Sequence, residues 1–151
     1  MSAPIDDLTL PRLEDFLTYR LHRVNKLSDR ETHRAYLDEC GLPLGEARCL
    51  AAIGRFEPLS VNDLARAANL NKGTASRSAQ ALVDGGLICK QVSEEDGRSV
   101  VLRSTPAGKT RYRQLVALID RRNREIFGCL SRDEQAQLAD MLDRIIDAHK
   151  S

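Results

Sequence analysis

Hydrophobic residues follow the period of a helix near both ends of the chain, and this spacing changes briefly in between. Over residues 13–37 the apolar face is Leu13, Phe16, Leu17, Leu21, Val24 and Leu27, which recur every three or four positions. This spacing predicts one long helix. The Gly-Leu-Pro break at residues 41–43 ends it, and a shorter helix is predicted over residues 45–55.

Two short helices with a tight break between them are predicted next. Ser60 and Asn71 each precede a helical stretch, and their side-chain oxygens can accept a hydrogen bond from a backbone N–H of the first turn. Asp63, three residues after Ser60, resembles the second half of a capping box. The break falls at residues 69–70, and the glycine pair at 85–86 ends the second helix.

The middle of the chain then changes to the pattern of a β-hairpin. Residues 87–92 and 99–104 are rich in β-branched and apolar residues, and a polar turn containing Gly97 lies between them. Helix resumes at Thr105-Pro106 and is predicted to run to about residue 129. A capping box at residues 131–134 opens a final helix. The predicted class is therefore mainly α with a small β-hairpin wing, in the order of a winged helix-turn-helix.

Composition limits where nucleic acid could bind. The chain has 151 residues, 42% of them hydrophobic, and 30% charged with a net charge of only +1. Any contact with DNA must therefore come from a local basic patch. No apolar run approaches the ~18 residues that span a bilayer. The acidic first residues lack the order of a signal peptide, so a cytoplasmic protein is expected.

Chemical motifs for catalysis or metal binding do not occur in the sequence. The three histidines are scattered, and no metalloprotease, nucleophile-elbow or phosphate-loop pattern is present. We therefore expect no enzymatic activity, no catalytic residues, no metal ligands and no cofactor. The four cysteines form no CxxC pair and predict free thiols. Cys40 and Cys129 are expected to be exposed, whereas Cys49 and Cys89 fall in predicted core elements.

A local basic patch occurs at residues 71–80, which contain two bases and no acid. Ala75, Ala79 and Leu82 give this helix an apolar face, and its polar residues point the other way. Lys72, Thr74 and Ser76 suit phosphates, as does the N-terminal end of the helix. Arg77 and Gln80 have the length and geometry to reach base edges. Taken alone, the segment also fits an ordinary exposed helix face.

Three motifs follow the basic patch: Leu-x-x-x-Gly-Leu at residues 82–87, Asp-x-Arg at residues 96–98, and Ser-Thr-x-x-Gly at residues 104–108. With them, residues 60–108 resemble the MarR family of bacterial winged helix-turn-helix transcriptional regulators, whose last motif is "Leu-Thr-x-x-Gly". The chain departs from the pattern at Gly97, where many members have Arg. It also opens its second helix with Pro-Leu-Gly rather than a Ser or Thr cap.

The resemblance implies roles for these positions. One MarR-like domain would occupy residues 1–151, with a DNA-binding lobe at 44–105 between dimerisation helices at 11–38 and 106–149. Such a homodimer would read a pseudo-palindromic operator, and repression is the family default. Arg98 would enter the minor groove, with Asp96 holding it in position. The predicted DNA-contacting set is Ser60, Asn71, Lys72, Gly73, Thr74, Ser76, Arg77, Gln80, Asp96 and Arg98.

The resemblance also implies a pocket, between the dimerisation helices and the DNA-binding lobe, for a small aromatic carboxylate or its thioester. Arg20 lies in the apolar face of the first helix with Arg23 at its edge, and Asn123 interrupts the apolar face of the fifth helix. These three are the candidate ligand contacts; a salt bridge or a subunit contact explains each of them equally well. Two other functions remain open: a regulator that senses oxidants through cysteine, and a winged-helix module that binds protein rather than DNA.

Overall fold

The computed structural model describes residues 9–95 and 97–150. The element order and mainly helical class agree with the prediction. The elements are α1 (Leu17–Ala35), α2 (Leu44–Phe56), α3 (Val61–Ala67), α4 (Lys72–Asp84), β1 (Ile88–Val92), β2 (Val100–Ser104), α5 (Pro106–Phe127) and α6 (Arg132–Ala148). None of the described helices is both long enough and apolar enough to cross a membrane.

The first predicted helix is divided into three parts. A 3-10 turn at Leu13–Asp15 precedes α1, and Phe16 between them has an extended backbone. At its other end α1 continues into a π-helical turn at Tyr36–Cys40. Gly41 ends that turn with a φ of +66°, the left-handed conformation that glycine adopts without strain. The helical run therefore continues three residues beyond the predicted end.

The core lies among α2, α3, α4, the hairpin and the first half of α5. Its fully buried large side chains include Leu50, Ile53, Leu64, Leu82, Ile88, Leu102 and Leu115. Burying each such side chain favours folding by about 1.5–3 kcal/mol. Both predicted helix caps are present: Ser60 Oγ accepts from the Asp63 N–H at 3.1 Å, and Asn71 Oδ1 accepts from the Thr74 N–H at 2.8 Å. These caps fix where α3 and α4 begin.

The hairpin is anchored at its base. Its strands are antiparallel, with Ile88 opposite Ser104 and Val92 opposite Val100. A single antiparallel bridge joins Leu59 to Leu102 outside the two strands. The Glu57 carboxylate at the end of α2 accepts hydrogen bonds from the Ser104 N–H at 3.1 Å and hydroxyl at 2.5 Å. The wing is therefore held to the end of α2 and to the loop that follows it.

The junction between the hairpin and α5 requires a glycine at residue 108. Thr105 caps α5 by accepting a hydrogen bond from the Gly108 N–H at 3.0 Å. A Cβ at Gly108 would lie 1.8 Å from the carbonyl oxygen of Leu87, which is far inside van der Waals contact. The glycine of the last motif therefore allows two backbones to approach closely. The helix ends at Phe127, slightly before the predicted boundary.

The outer helices leave apolar surface uncovered. Neither α1 nor α6, both fully within the described residues, contains a buried residue. Leu17 and Leu27 are each 71% exposed. The other large exposed apolar residues at these two ends of the chain are Leu10, Leu13, Phe16, Leu21, Val24, Met141, Ile145 and Ile146. Exposed apolar faces of this kind are typical of a site of association. We call the apolar faces of α1 and α6 the outer face.

Candidate nucleic-acid interface

Helix α4 presents a polar face to solvent. Its other face, formed by Ala75, Ala79 and Leu82, is buried against the core. On the outward side Lys72, Gly73, Ser76, Arg77 and Gln80 are exposed, and Thr74 is half-buried. The small residues on this side keep the first turns of the helix narrow. A helix with this shape and polarity fits the major groove of DNA, which is wide enough to admit an α-helix.

The first turn of α4 is ordered by its own side chains. Asn71 is exposed, and its side-chain oxygen is engaged by the Thr74 N–H. The Arg77 guanidinium donates to the Thr74 hydroxyl at 3.3 Å, and a Cβ at Gly73 would meet that guanidinium at 3.4 Å. The absence of a side chain at residue 73 therefore leaves room for Arg77 to fold along the helix toward its N-terminus.

Helix α3 adds a second charged turn beside α4. Ser60, half-buried, is occupied as the cap of α3. The Arg66 guanidinium lies 2.5 Å from the Asp63 carboxylate, and its hydrogen bond lowers the pKa of Asp63 below the ordinary value. Asp63 therefore stays ionised and offsets the charge of Arg66. The cations most available to phosphates on this surface are consequently those of α4 and the wing.

Two residues that the sequence did not single out reach the polar face of α4. The Gln80 amide nitrogen donates to the Asp84 carboxylate at 2.9 Å, and the Lys90 amine donates to the Gln80 amide oxygen at 2.8 Å. Lys90 belongs to β1, so this chain of hydrogen bonds connects the helix to the wing. The sequence could not predict this contact of Lys90, because it depends on the angle between α4 and the strand that follows it.

The wing turn closes through backbone hydrogen bonds. The Ser93 N–H donates to the Ser99 carbonyl at 2.7 Å, and the Gly97 N–H donates to the Ser93 carbonyl at 2.9 Å. Gly97 has a φ of +66°, so glycine suits the turn better than the Arg of the family pattern. Arg98 is exposed beside it. Asp96, its predicted positioning partner, lies outside the described residues.

The three candidate ligand residues do not line one cavity. Arg20 is exposed and donates to the Asp15 carbonyl at 2.8 Å, with the Asp15 carboxylate 3.9 Å away. Arg23 is also exposed. Asn123 donates to the Ile119 carbonyl at 2.9 Å and lines a cavity of about 230 Å³ between α1, α2 and α5. Of the two arginines, neither is among the residues that line this cavity.

Three polar residues that the sequence did not single out line these cavities. Tyr36 and Arg48 line both the 230 Å³ cavity and an adjoining cavity of about 500 Å³ beside α3. Burial raises the pKa of Tyr36 although Arg48 opposes that shift, so its hydroxyl stays protonated. Arg122, only 8% exposed, also lines the smaller cavity. Its position three residues after Ile119 interrupts the apolar face of α5, a signal that the sequence did contain.

Arg122 is held by three neighbours. Its guanidinium donates to the Thr32 hydroxyl at 3.2 Å and to the Glu125 carboxylate at 2.5 Å, and it lies 3.6 Å from the Glu31 carboxylate. A buried guanidinium without such partners would carry a large desolvation penalty. The contacts with Thr32 and Glu31 also join α1 to α5 on the wall of the cavity.

The prediction that Cys40 is exposed is wrong. Cys40 lies in the π-helical turn, where it is buried, and Arg111 of α5 donates to its carbonyl oxygen at 2.6 Å. Burial raises the pKa of the Cys40 thiol, and burial likewise raises the pKa of Cys49 to about 11. Cys129 is exposed, as expected, and Cys89 is half-buried rather than part of the core. Neither buried thiol is available as a thiolate at neutral pH.

Known proteins match both the sequence and the fold. Residues 41–99 match the sequence model described as MarR family. The HTH-type transcriptional regulator BilQ of Clostridium symbiosum is 26% identical over 112 residues, covering 74% of this chain and 78% of BilQ. A MarR family transcriptional regulator from Silicibacter pomeroyi is 27% identical, with a TM-score of 0.83 over 98% of this chain and 99% of its own. The chain is therefore similar to the MarR family in sequence over its central lobe and in fold over almost its whole length.

These matches indicate the function of the helix-turn-helix: the relatives are transcriptional regulators rather than enzymes, and this chain has their winged helix-turn-helix. More distant structures share the fold of this chain. Bordetella bronchiseptica BpsR, whose DNA binding is regulated by 6-hydroxynicotinic acid, is 18% identical, with a TM-score of 0.81 over 91% of this chain and 98% of its own.

Proposed function

We propose that this protein is a homodimeric repressor of the MarR type, which binds a pseudo-palindromic operator and is released from it by a small aromatic acid or its thioester. The polar face of α4, with Lys72, Arg77 and Gln80 exposed over a buried alanine stripe, carries the proposal. The predicted set from Ser60 to Arg98 would make the DNA contacts, with α4 in the major groove and the wing in the minor groove. The protein would act in the cytoplasm, on the bacterial nucleoid.

The outer face supports the homodimer. A second copy of the chain would cover the leucines, isoleucines and other apolar residues that α1 and α6 leave exposed. A two-fold dimer places two α4 helices on the same side of the molecule, so that they can read half-sites about one helical turn of DNA apart. Because the net charge is only +1, affinity would depend on engaging both half-sites together.

The 230 Å³ cavity between α1, α2 and α5 supports control by a ligand. Its walls combine apolar side chains with Arg48, Arg122 and Asn123, which suit an aromatic ring bearing an anion, and with one acid, Asp29. Arg20 and Arg23 remain candidates on α1, where they would act at the rim or across the dimer. A ligand releases DNA only if it favours a dimer whose α4 helices misfit the operator.

The two alternative functions receive less support. An oxidant sensor needs an accessible thiolate. Cys40 and Cys49 are buried with raised pKa values, which leaves Cys129 and the half-buried Cys89. A module that binds protein would need an acidic or apolar face on α4, whereas Asp84 is the one acid among the thirteen residues of this helix.

Binding to the DNA that flanks the gene of this protein tests operator recognition. We expect the full-length protein to protect a palindrome of roughly 15–25 base pairs at low salt, as two half-sites one turn apart require. A footprint that shows no protected palindrome would contradict the repressor proposal.

A thermal-shift panel of aromatic acids and acyl-thioesters tests the ligand proposal, since a ligand that binds the folded state raises the melting temperature. Arg20→Ala, Arg23→Ala and Asn123→Ala should each reduce the shift, whereas Arg144→Ala, at an exposed position on α6, should not. A full shift in all three variants would remove these residues from the site.

A further inference from the structure

The exposed amide of Gln80 lies between two charged groups of opposite sign. On one side it donates to the Asp84 carboxylate at 2.9 Å, one helical turn along α4. On the other side its oxygen accepts from the Lys90 amine of β1 at 2.8 Å. These contacts are more specific than an ordinary exposed glutamine requires, because each partner can play only one role. An ionised carboxylate only accepts hydrogen bonds, and an ammonium group only donates them.

The chemistry of the two partners fixes the direction of the amide. Rotating it by half a turn would place its oxygen against the Asp84 carboxylate and its NH₂ group against the Lys90 amine. Both contacts would then be repulsive. In the observed orientation, hydrogen bonds to charged groups favour both ends of the amide. One N–H and one oxygen lone pair remain available on Gln80.

Lys90 reaches Gln80 because of its place in the strand. It lies opposite Leu102 in the hairpin register and two residues after Ile88, and both of these side chains are buried. Residues at these positions share one face of the sheet. The Lys90 stem therefore starts from the face that packs on the core, and its amine emerges at the junction of the sheet with α4.

Asp84 occupies a position that disfavours an acid for two reasons. It is the last residue of α4, where a negative charge opposes the helix dipole. It is also the one acid on a helix whose outward face would meet phosphates. Neither helix stability nor phosphate binding therefore explains an acid at this position. Its hydrogen bond with Gln80, a side chain suited to read a base, does explain it.

We infer that Asp84 and Lys90 are positioning residues that hold the Gln80 amide ready to read an adenine in each half-site of the operator. The free N–H and oxygen of Gln80 match the N7 acceptor and the N6 amino donor of adenine in the major groove. The two charged partners act through Gln80 and not by contacting the base. This inference rests on the proposed operator binding and adds the identity of one base and the residues that select it.

Base discrimination by the full-length protein tests the inference. Duplexes enriched by the wild type from a random library are measured by fluorescence anisotropy, together with every single-base variant of the enriched site. The wild type should prefer adenine at one position of each half-site by about 10-fold, and Gln80→Ala should abolish that preference. Asp84→Asn and Lys90→Met should each reduce it about threefold at the same position and leave other positions unchanged.

Two controls separate positioning from direct phosphate contact. Lys90→Arg retains a charged donor and should preserve the adenine preference. Lys90→Met should change nothing further in the Gln80→Ala background, and it should leave the salt dependence of binding unaltered. Melting temperatures of the variants report whether folding is intact. Asp84→Asn in α4 and Lys90→Met in β1 test the positioning of Gln80 independently of each other.

The contrary outcomes are distinct. If Gln80→Ala keeps every base preference, or if Lys90→Met weakens all sequences equally in both backgrounds and lowers the salt slope by about one, the positioning role is overturned while operator binding stands. A library from which the wild type enriches no sequence overturns the proposed function itself, and the positioning role with it.

Discussion

The central lobe and the outer helices of this protein differ in how far their apolar side chains are buried. From α2 to the start of α5, the apolar side chains meet one another within a single chain, and several are completely buried. Helices α1 and α6 also carry apolar faces but bury none of their residues within the described chain. The lobe therefore buries its apolar faces through its own contacts, whereas the proposed homodimer would have to bury those of the outer helices.

Substituting Gly108 should give the largest loss of stability, because the backbones of α5 and the hairpin touch at this residue. In Gly108→Ala, the new methyl group would be 1.8 Å from the Leu87 carbonyl oxygen, so α5 must move away from the hairpin. We expect a loss of about 3 kcal/mol in the free energy of unfolding, measured by urea denaturation at several protein concentrations.

Gly85→Ala is the matched control for Gly108→Ala. A Cβ there would lie 3.4 Å from the Ala81 carbonyl, a tight but tolerable contact, and the residue has an ordinary negative φ. The expected change is within about 0.5 kcal/mol. Equal effects of the two alanines would show that the approach at Gly108 does not limit the stability of the lobe.

Charging the outer face should affect association rather than folding of the lobe. Leu17→Glu places a carboxylate on a surface that a second copy would bury, and an unpaired buried charge costs several kcal/mol. Sedimentation equilibrium should therefore show the variant as a monomer at concentrations where the wild type is a dimer. Val92→Glu is the control, since Val92 is 60% exposed on the wing, away from the outer face. A dimer that survives Leu17→Glu would place the subunit contact elsewhere.

Removing the wing arginine, Arg98, should affect DNA binding rather than folding or association. Arg98→Ala should weaken operator binding by about 1–3 kcal/mol if the side chain makes a specific groove contact. Urea denaturation should give an unchanged stability, because Arg98 is exposed at the tip of the hairpin. Lys109→Ala, at an exposed lysine of α5, provides a basic control outside the predicted set. Unchanged binding in Arg98→Ala would remove this residue from the interface.

The order of elements was predictable because its signals are local. Each capping side chain accepts a hydrogen bond from the backbone N–H three residues further along, as at Ser60, Asn71, Thr105 and Ser131. The glycines that end α4 and shape the wing turn act in the same way, within a few residues. Such features depend on backbone geometry that neighbouring residues determine, so a single sequence contains them.

Contacts across the fold were not predictable in the same way. Glu57 and Ser104 are 47 positions apart, and Thr32 and Arg122 are 90 apart. Each pair depends on how two elements pack, which the helical period of either element does not specify. Cys40 was misplaced for this reason: the nearby glycine break suggested exposure, but α5 packs over the π-helical turn and covers it.

The capping box of α6 gives the smallest effect and shows how far an outer helix depends on local interactions. Ser131 Oγ accepts from the Glu134 N–H at 3.1 Å, and the Glu134 carboxylate accepts from the Ser131 N–H at 2.8 Å. Ser131→Ala removes the first of these bonds and should cost about 1 kcal/mol, whereas Ser131→Thr should retain most of it.

Amide hydrogen exchange along α6 measures this effect. Because α6 buries no residue within the chain, faster exchange should be confined to this helix and leave the lobe protected. The expected loss of protection is larger in Leu17→Glu monomers, where the start of α6 is held by the cap and by the hydrogen bonds of Gln135 to the Phe127 and Leu130 carbonyls. If exchange instead rises throughout the lobe, then α6 and the lobe unfold as one unit, and the contrast between the two regions fails.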